Sequence, residues 1–246
     1  MPGKKLSNRG HLPKNFEIIY EDNDILVANK PAGLLTIGTQ TDKTNTAYCI
    51  LTDYVRKGSL KSKKRIFIVH RLDQPTSGVL LFAKNEEAKF QLQAQWKDTV
   101  KKYLAVVLGQ LTPKEGIITS YLAENKAFVV YSTPDAKKGK LAHTAYKTLK
   151  ETPRLSLLEI TLLTGRKNQI RVHLADKGHP VVGDKKYGNA GDRYKRLVLH
   201  AKSISFKHPA TSQPMTFETK TPDEFDRLMK LGKKIPPLET ETQPTD

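Results

Sequence analysis

The sequence predicts an α+β fold, a mostly antiparallel or mixed β-sheet with flanking helices, on two observations. Strand-like runs outnumber helical ones by ten to four, and their order does not alternate as the crossovers of a parallel sheet require. Strands are expected at 16–20 and 25–29, followed by a helix at 47–55 with Ala47, Ile50, Leu51 and Tyr54 on one face. Residues 66–70 and 79–83 read as buried strands rich in β-branched and aromatic side chains, with Pro75 and Gly78 supplying turn chemistry between them. Asn85 caps a second helix whose first turn carries Glu86 and Glu87 and whose apolar face includes Ala88, Leu92 and Trp96. Further strands are expected at 103–108, 117–122, 127–131, 141–149, 155–163 and 197–206, and further helices at 169–177 and 223–231.

Composition bounds the function. The chain has 246 residues, 37% hydrophobic and 27% charged, enough to bury a core as one large domain or two small halves. Residues 1–14 read as a flexible basic arm, 15–234 as the folded domain, and 235–246 as a disordered, acidic, Pro-containing tail. No apolar run approaches membrane-spanning length, and the N-terminus lacks the apolar segment of a secretion signal. The single Cys49 cannot form an internal disulfide, so a cytoplasmic location is expected. Net charge is +17, from 42 Lys and Arg against 25 Asp and Glu. The basic residues cluster at 56–65, 137–140 and 185–196, which makes nucleic acid the leading partner and a membrane surface a weaker one.

Phosphate-binding glycine loops and the HExxH pattern are absent, and the seven His and one Cys show no metal-ligand spacing. His173 and His179 read as ordinary structural histidines, and no cofactor is implied.

Asp73 stands out because it sits in the turn between the two buried runs, in IFIVHRLDQPTSGVLLFAKN at 66–85. A lone Asp in such a turn is by default structural, closing the turn through its own backbone. Four further segments put polar residues at the ends of apolar strands: NKPAGLL at 29–35, KKYLAVVLG at 101–109, TGRKNQIRVHLADKGHPVVGDKKYG at 164–188 and RLVLHAKSISFKHP at 196–209. Arg171, in the helix of the third, is placed to face a carboxylate.

Together these segments resemble, in order, the motifs of the RluA family of RNA pseudouridine synthases, in which HRLD followed by a Thr-Ser-Gly turn carries the catalytic aspartate. The resemblance runs from about residue 16 to 222. It implies the pseudouridine synthase catalytic fold, isomerisation of specific uridines without a cofactor, and Asp73 as the catalytic carboxylate. Tyr103 would stack on the target uracil and assist removal of the carbon-5 proton, and Arg171 would pair with Asp73. Substrate or RNA contacts are expected from Asn29, Lys30, His70, Arg71, Lys102, Arg166, Asn168, Gln169 and His200. Asn168 departs from the family's usual His at that position, and only residues 1–14 precede the domain where many relatives carry an alpha-L type RNA-binding module.

Ribosomal RNA is favoured over transfer RNA as the substrate, and a monomer is expected. Two other readings remain open on sequence. One is a non-catalytic RNA-binding or ribosome-assembly protein on the same fold. The other is a carboxylate hydrolase, which would want a second acid; Asp184 is the nearest candidate and reads as a structural turn acid.

Overall fold

The computed structural model describes residues 12–13, 16–39, 42–57, 59, 61–188 and 194–232. The expected N-terminal arm, residues 12 and 13 apart, and the expected C-terminal tail lie outside them. In chain order the elements are β1 (Glu17–Glu21), β2 (Ile25–Lys30), α1 (Ala47–Arg56), β3 (Phe67–Ile68), β4 (Ser77–Ala83), α2 (Glu86–Ala94), β5 (Val100–Leu108) and β6 (Glu115–Glu124). They continue as β7 (Val130–Thr133), β8 (Lys140–Glu151), β9 (Leu155–Leu162), α3 (Gln169–Asp176), β10 (Leu199–Lys207), β11 (Pro214–Glu218) and α4 (Asp223–Gly232). The chain divides into two units, Met1–Tyr103 with Leu199–Lys220, and Leu104–Val198 with Thr221–Asp246.

In the first unit the strand order is β1-β2-β4-β10, with β11 on β10 and β3 on β4. All pairs are antiparallel except β4 with β10, which is parallel. β4 is buried at all seven positions, the pattern of a strand covered on both faces, and this is why its sequence is continuously apolar rather than alternating. Ile25, Val27, Val79, Leu81, Ile204 and Phe206 form the core with Ala88 and Leu92 of α2. Both helices are capped as polar chemistry dictates. Thr46 accepts from the Cys49 N–H, and Asn85 accepts from the Ala88 N–H at 2.7 Å. The approach of β4 to β10 needs Gly78, which has φ of +115°; a Cβ there would lie 2.1 Å from the Ala201 carbonyl oxygen.

In the second unit β9, β8, β6 and β7 follow one another, antiparallel throughout. One core packs Leu155, Leu157 and Val106 against Phe225, Leu228 and Met229 of α4, residues spaced to share one helix face. A smaller core joins Leu122, Val130 and Ala142 to Val172 of α3.

Three expectations shift. The strand expected at 66–70 contracts to Phe67–Ile68. The one expected at 127–131 begins only at Val130, because Asn125 and Phe128 form a turn instead. β11 has no counterpart among the strands expected from sequence, although Met215 and Phe217 alternate inward there. Among the described residues no helix is long and apolar enough to cross a membrane.

Candidate active site

Asp73 lies in the connection between β3 and β4, partly buried, and the backbone on either side of it is held by the loop that follows β2. On one side the Thr36 hydroxyl donates to the Leu72 carbonyl at 2.8 Å and accepts from the Leu72 N–H at 3.2 Å. On the other, the Gln74 carbonyl accepts from the Gly33 N–H at 2.8 Å and from the Lys30 ammonium at 3.2 Å. The Thr76 N–H closes the turn on the Asp73 carbonyl at 3.1 Å. Ser77, the residue after Thr76, shares a 2.8 Å hydrogen bond with His200 Nδ1. A carboxylate mounted this way has little backbone freedom, as a reacting group requires.

Tyr103, at the end of the first unit's part of β5, is 8% exposed. Burial, and then the charge of Asp73, raise its phenol above the ordinary tyrosine range, so the hydroxyl stays protonated. The phenol of Tyr103 thus responds to the charge of Asp73.

His70 has a structural task. Its Nε2 accepts the Leu81 N–H at 3.0 Å, which puts the proton of the neutral ring on Nδ1, and the ring packs on Trp96 at 4.8 Å between centroids. Burial and the nearby Lys101 ammonium push its pKa down to about 3. Lys101 is itself buried, donating to the Trp96 carbonyl at 3.2 Å and lying 5.0 Å from the Trp96 ring. Nothing in the sequence marks Lys101 off from Lys102 beside it.

Three of the residues expected to contact RNA are buried and hydrogen-bonded within the protein. Lys30 is fully buried, and its ammonium donates to the carbonyls of Pro31, Leu34 and Gln74 at 3.1, 2.8 and 3.2 Å. His200 is 1% exposed, with one ring nitrogen on Ser77 and the other on Thr219 at 2.8 Å. Gln169 is 2% exposed; its amide oxygen accepts from Thr164 and the Arg166 N–H, and its NH2 donates to the His143 carbonyl and Thr144. Buried groups with these partners hold the surrounding chain in place. Arg71 and Arg166 are exposed, and Asn29, Lys102 and Asn168 are partly so.

In the second unit Arg171 is buried and joined to Asp184 by two parallel 2.7 Å bonds, from Nε and Nη2. Burial would raise the Asp184 pKa, but Arg171 and the N–H groups of Lys186 and Tyr187 outweigh it and hold the carboxyl below its ordinary range. The guanidinium also lies 5.1 Å from the Tyr187 ring. Asn168 begins α3 in the left-handed region at φ of +52°, a conformation Asn tolerates better than most residues, and its Oδ1 accepts from the Tyr187 hydroxyl at 3.2 Å. That fits Asn in place of the usual His. His173 is buried between Thr144 and Ser120, and burial pushes its pKa down to about 4 against the opposing pull of Asp176.

Among the described residues one grouping has metal-like spacing, Asp22, Asp24 and His208, whose potential ligand atoms lie within 4.8 Å of one another. Its oxygens already serve the β1–β2 turn. Asp22 accepts from the N–H groups of Asp24 and Ile25, from Tyr20 and from His208, and Asp24 accepts from Asn85.

A family model described as RNA pseudouridylate synthase matches residues 24–176. Over 223 residues the chain is 36% identical to an uncharacterised RNA pseudouridine synthase of Bacillus subtilis (strain 168), covering 87% of this chain and 72% of that one. It is 35% identical to ribosomal large subunit pseudouridine synthase C of Vibrio vulnificus (strain CMCP6), covering 87% of this chain and 68% of the other. Among solved structures, human RNA pseudouridylate synthase domain containing 1 superposes with a TM-score of 0.69 at 25% identity, covering 92% of this chain and 97% of that one. With a family match over more than half of its length and relatives at this identity and coverage, the chain belongs to the RNA pseudouridylate synthase family, in its RluA branch, and is an RNA-modifying isomerase.

Proposed function

We propose that the chain converts one or a few uridines of ribosomal RNA to pseudouridine, acting as a cytoplasmic monomer with Asp73 as the catalytic carboxylate. The observation that carries the reading is the mounting of Asp73: its neighbours Leu72 and Gln74 are each held by two side-chain or backbone hydrogen bonds from the β2 loop, and Tyr103 lies within its field. Ribosomal RNA is favoured because the relatives at 35% and 34% identity include ribosomal large subunit pseudouridine synthases C and D. The +17 charge suits a polyanion, and the lone Cys49 suits a reducing compartment.

Isomerisation breaks the glycosidic bond, turns the uracil while it stays bound, and joins carbon-5 to the ribose. A carboxylate can serve as nucleophile or base in this sequence. Exposed Arg71, two residues before Asp73, supplies a cation for phosphate. Arg171 enters as the partner of Asp73 on the strength of its place in GRKNQIR alone. Tyr103 offers a flat face for the detached uracil, a contact contributing about 1–3 kcal/mol per base. Its phenol is protonated, so a role at carbon-5 requires passing its own proton on as it takes the new one. Tyr103→Phe should therefore keep glycosidic cleavage while slowing carbon-5 proton release, followed as tritium loss from [5-3H]uridine RNA. Release at the wild-type rate excludes the hydroxyl.

The function is tested by carbodiimide mapping of pseudouridine in total RNA from cells with and without the gene. Loss of one or a few sites in ribosomal RNA is expected. Loss confined to transfer RNA overturns the choice of substrate, and an unchanged map with the protein expressed overturns the reading.

A further inference from the structure

We propose that Phe128, at the tip of the β6–β7 hairpin, is a stacking platform for a second unpaired nucleobase of the RNA substrate. The inference rests on the RNA-modifying reading above and adds a contact to it.

The tip is built rigidly around a side chain that is mostly exposed. Asn125 organises it: its Oδ1 accepts from the N–H groups of Ala127 and Val129, both at 3.0 Å, and its carbonyl accepts from the Phe128 N–H at 2.9 Å. From outside the hairpin the Lys186 ammonium donates to the Phe128 carbonyl at 2.8 Å, and the Val130 N–H donates to the Tyr187 hydroxyl at 3.1 Å. On this anchored turn Phe128 has φ of +59° and is 71% exposed. Left-handed backbone is unfavourable for a bulky side chain, and an exposed ring gains nothing from burial. Gly would relieve the first cost and any polar residue the second. A residue that is wrong on both counts, yet held by bonds from two elements, is the kind of outlier that marks a contact made with something else.

The surroundings identify the chemistry. The Lys167 ammonium lies 5.6 Å from the ring centroid, and Lys126, Lys185 and Lys186 are exposed nearby in sequence or contact. Glu124, the acid next to the turn, is ion-paired to Lys167. The exposed ring has one ammonium over it and further lysines on its own turn and on the segment that anchors it. It suits a nucleotide, whose base stacks on the ring while its phosphates meet the ammonium groups. Stacking tolerates any base, so the contact selects for an unpaired nucleotide at this place in the RNA rather than for its identity.

The test uses the full chain and an RNA fragment spanning a mapped site, with binding measured at equilibrium and isomerisation measured in single turnover at saturating enzyme. Phe128→Ala and Phe128→Leu should each weaken binding about 5- to 150-fold, the range that ~1–3 kcal/mol of stacking gives at tenfold per ~1.4 kcal/mol. Phe128→Trp should bind at least as tightly as wild type, and the saturated rate should be unchanged in all of them. An abasic substitution at one unpaired nucleotide of the fragment should remove the difference between wild type and Phe128→Ala. Phe128→Gly should bind RNA as weakly as Phe128→Ala while melting no lower than wild type.

Unchanged binding by Phe128→Ala overturns the proposal. So does wild-type binding by Phe128→Leu, no abasic position that removes the difference, or a lower melting point for Phe128→Gly, which would make the ring a fold element. A wild-type chain that binds the fragment but isomerises no uridine counts against the catalytic reading alone, since the stacking contact is read from affinity.

Discussion

Asp73→Asn is expected to lower isomerisation by at least about a thousandfold while leaving RNA affinity within a few-fold of wild type. The amide is nearly isosteric, and the turn that carries it is held through backbone atoms of Leu72, Gln74 and Thr76, none of which changes. What disappears is the negative charge. The phenol of Tyr103 reports on this independently of turnover: burial and the Asp73 charge both raise its pKa in the native enzyme, so neutralising residue 73 should lower it while leaving the burial effect in place. Ultraviolet titration of the tyrosines in the two proteins measures that shift. Turnover comparable to wild type removes Asp73 from the mechanism; an unshifted Tyr103 shows that the two side chains do not sense one another in solution.

Asp184→Ala should have the largest effect on stability. Arg171 and Asp184 are 8% and 0% exposed as side chains, and breaking a buried ion pair by removing one member costs about 3–5 kcal/mol. Alanine also deprives the Lys186 and Tyr187 N–H groups of their acceptor. A fall in melting midpoint of roughly 10 °C is expected for a chain of this size, and a loss below about 1 kcal/mol would mean that Arg171 finds other partners or water. The pH dependence has a definite sign. Since the folded-state pKa of Asp184 is lowered, its contribution is fully present above the ordinary carboxylate pKa of about 3.9 and is lost as pH falls toward the folded value. Acid unfolding of Asp184→Ala should therefore be less steep in that window than that of the wild type.

The parts legible in sequence were those in which neighbouring residues carry the signal. The apolar run of β4, the Asn85 cap with two acids behind it, and the turn holding Asp73 are local patterns, and the structure reproduces them. The motifs were enough to recognise the family. Partnerships across long separations were not legible. Lys30 ends a strand and reads as a surface cation; the Gln74 carbonyl, 44 positions away, and the carbonyls of Pro31 and Leu34 help to make its burial tolerable. Gln169 and His200 look like polar groups available to RNA until the carbonyl and hydroxyl partners that surround them are known. Phe128 falls in an apolar run that scores as strand, and the deciding residue is Asn125, whose side chain folds back on the chain ahead of it. Asp184 is legible as a turn acid, but its bidentate hold on Arg171 depends on how two segments thirteen residues apart meet.

The parallel pairing of β4 with β10 has a consequence for the order in which the chain acquires its structure. Ser77 and His200 stand 123 positions apart, and the first unit is assembled from two stretches of chain with most of the second unit's sequence between them. During synthesis, β4 can find β2 early, but the edge that receives β10 stays uncovered until residue 199 has left the ribosome. Pairings of such separation form late, because the intervening loop must close first. The residues just after Asp73, Ser77 and Gly78, are the ones that meet β10, so the catalytic turn is completed among the last events of folding. A nascent or prematurely terminated chain ending before β10 carries the HRLD motif without the strand that fixes it, and exposes an apolar strand edge of the kind that invites aggregation.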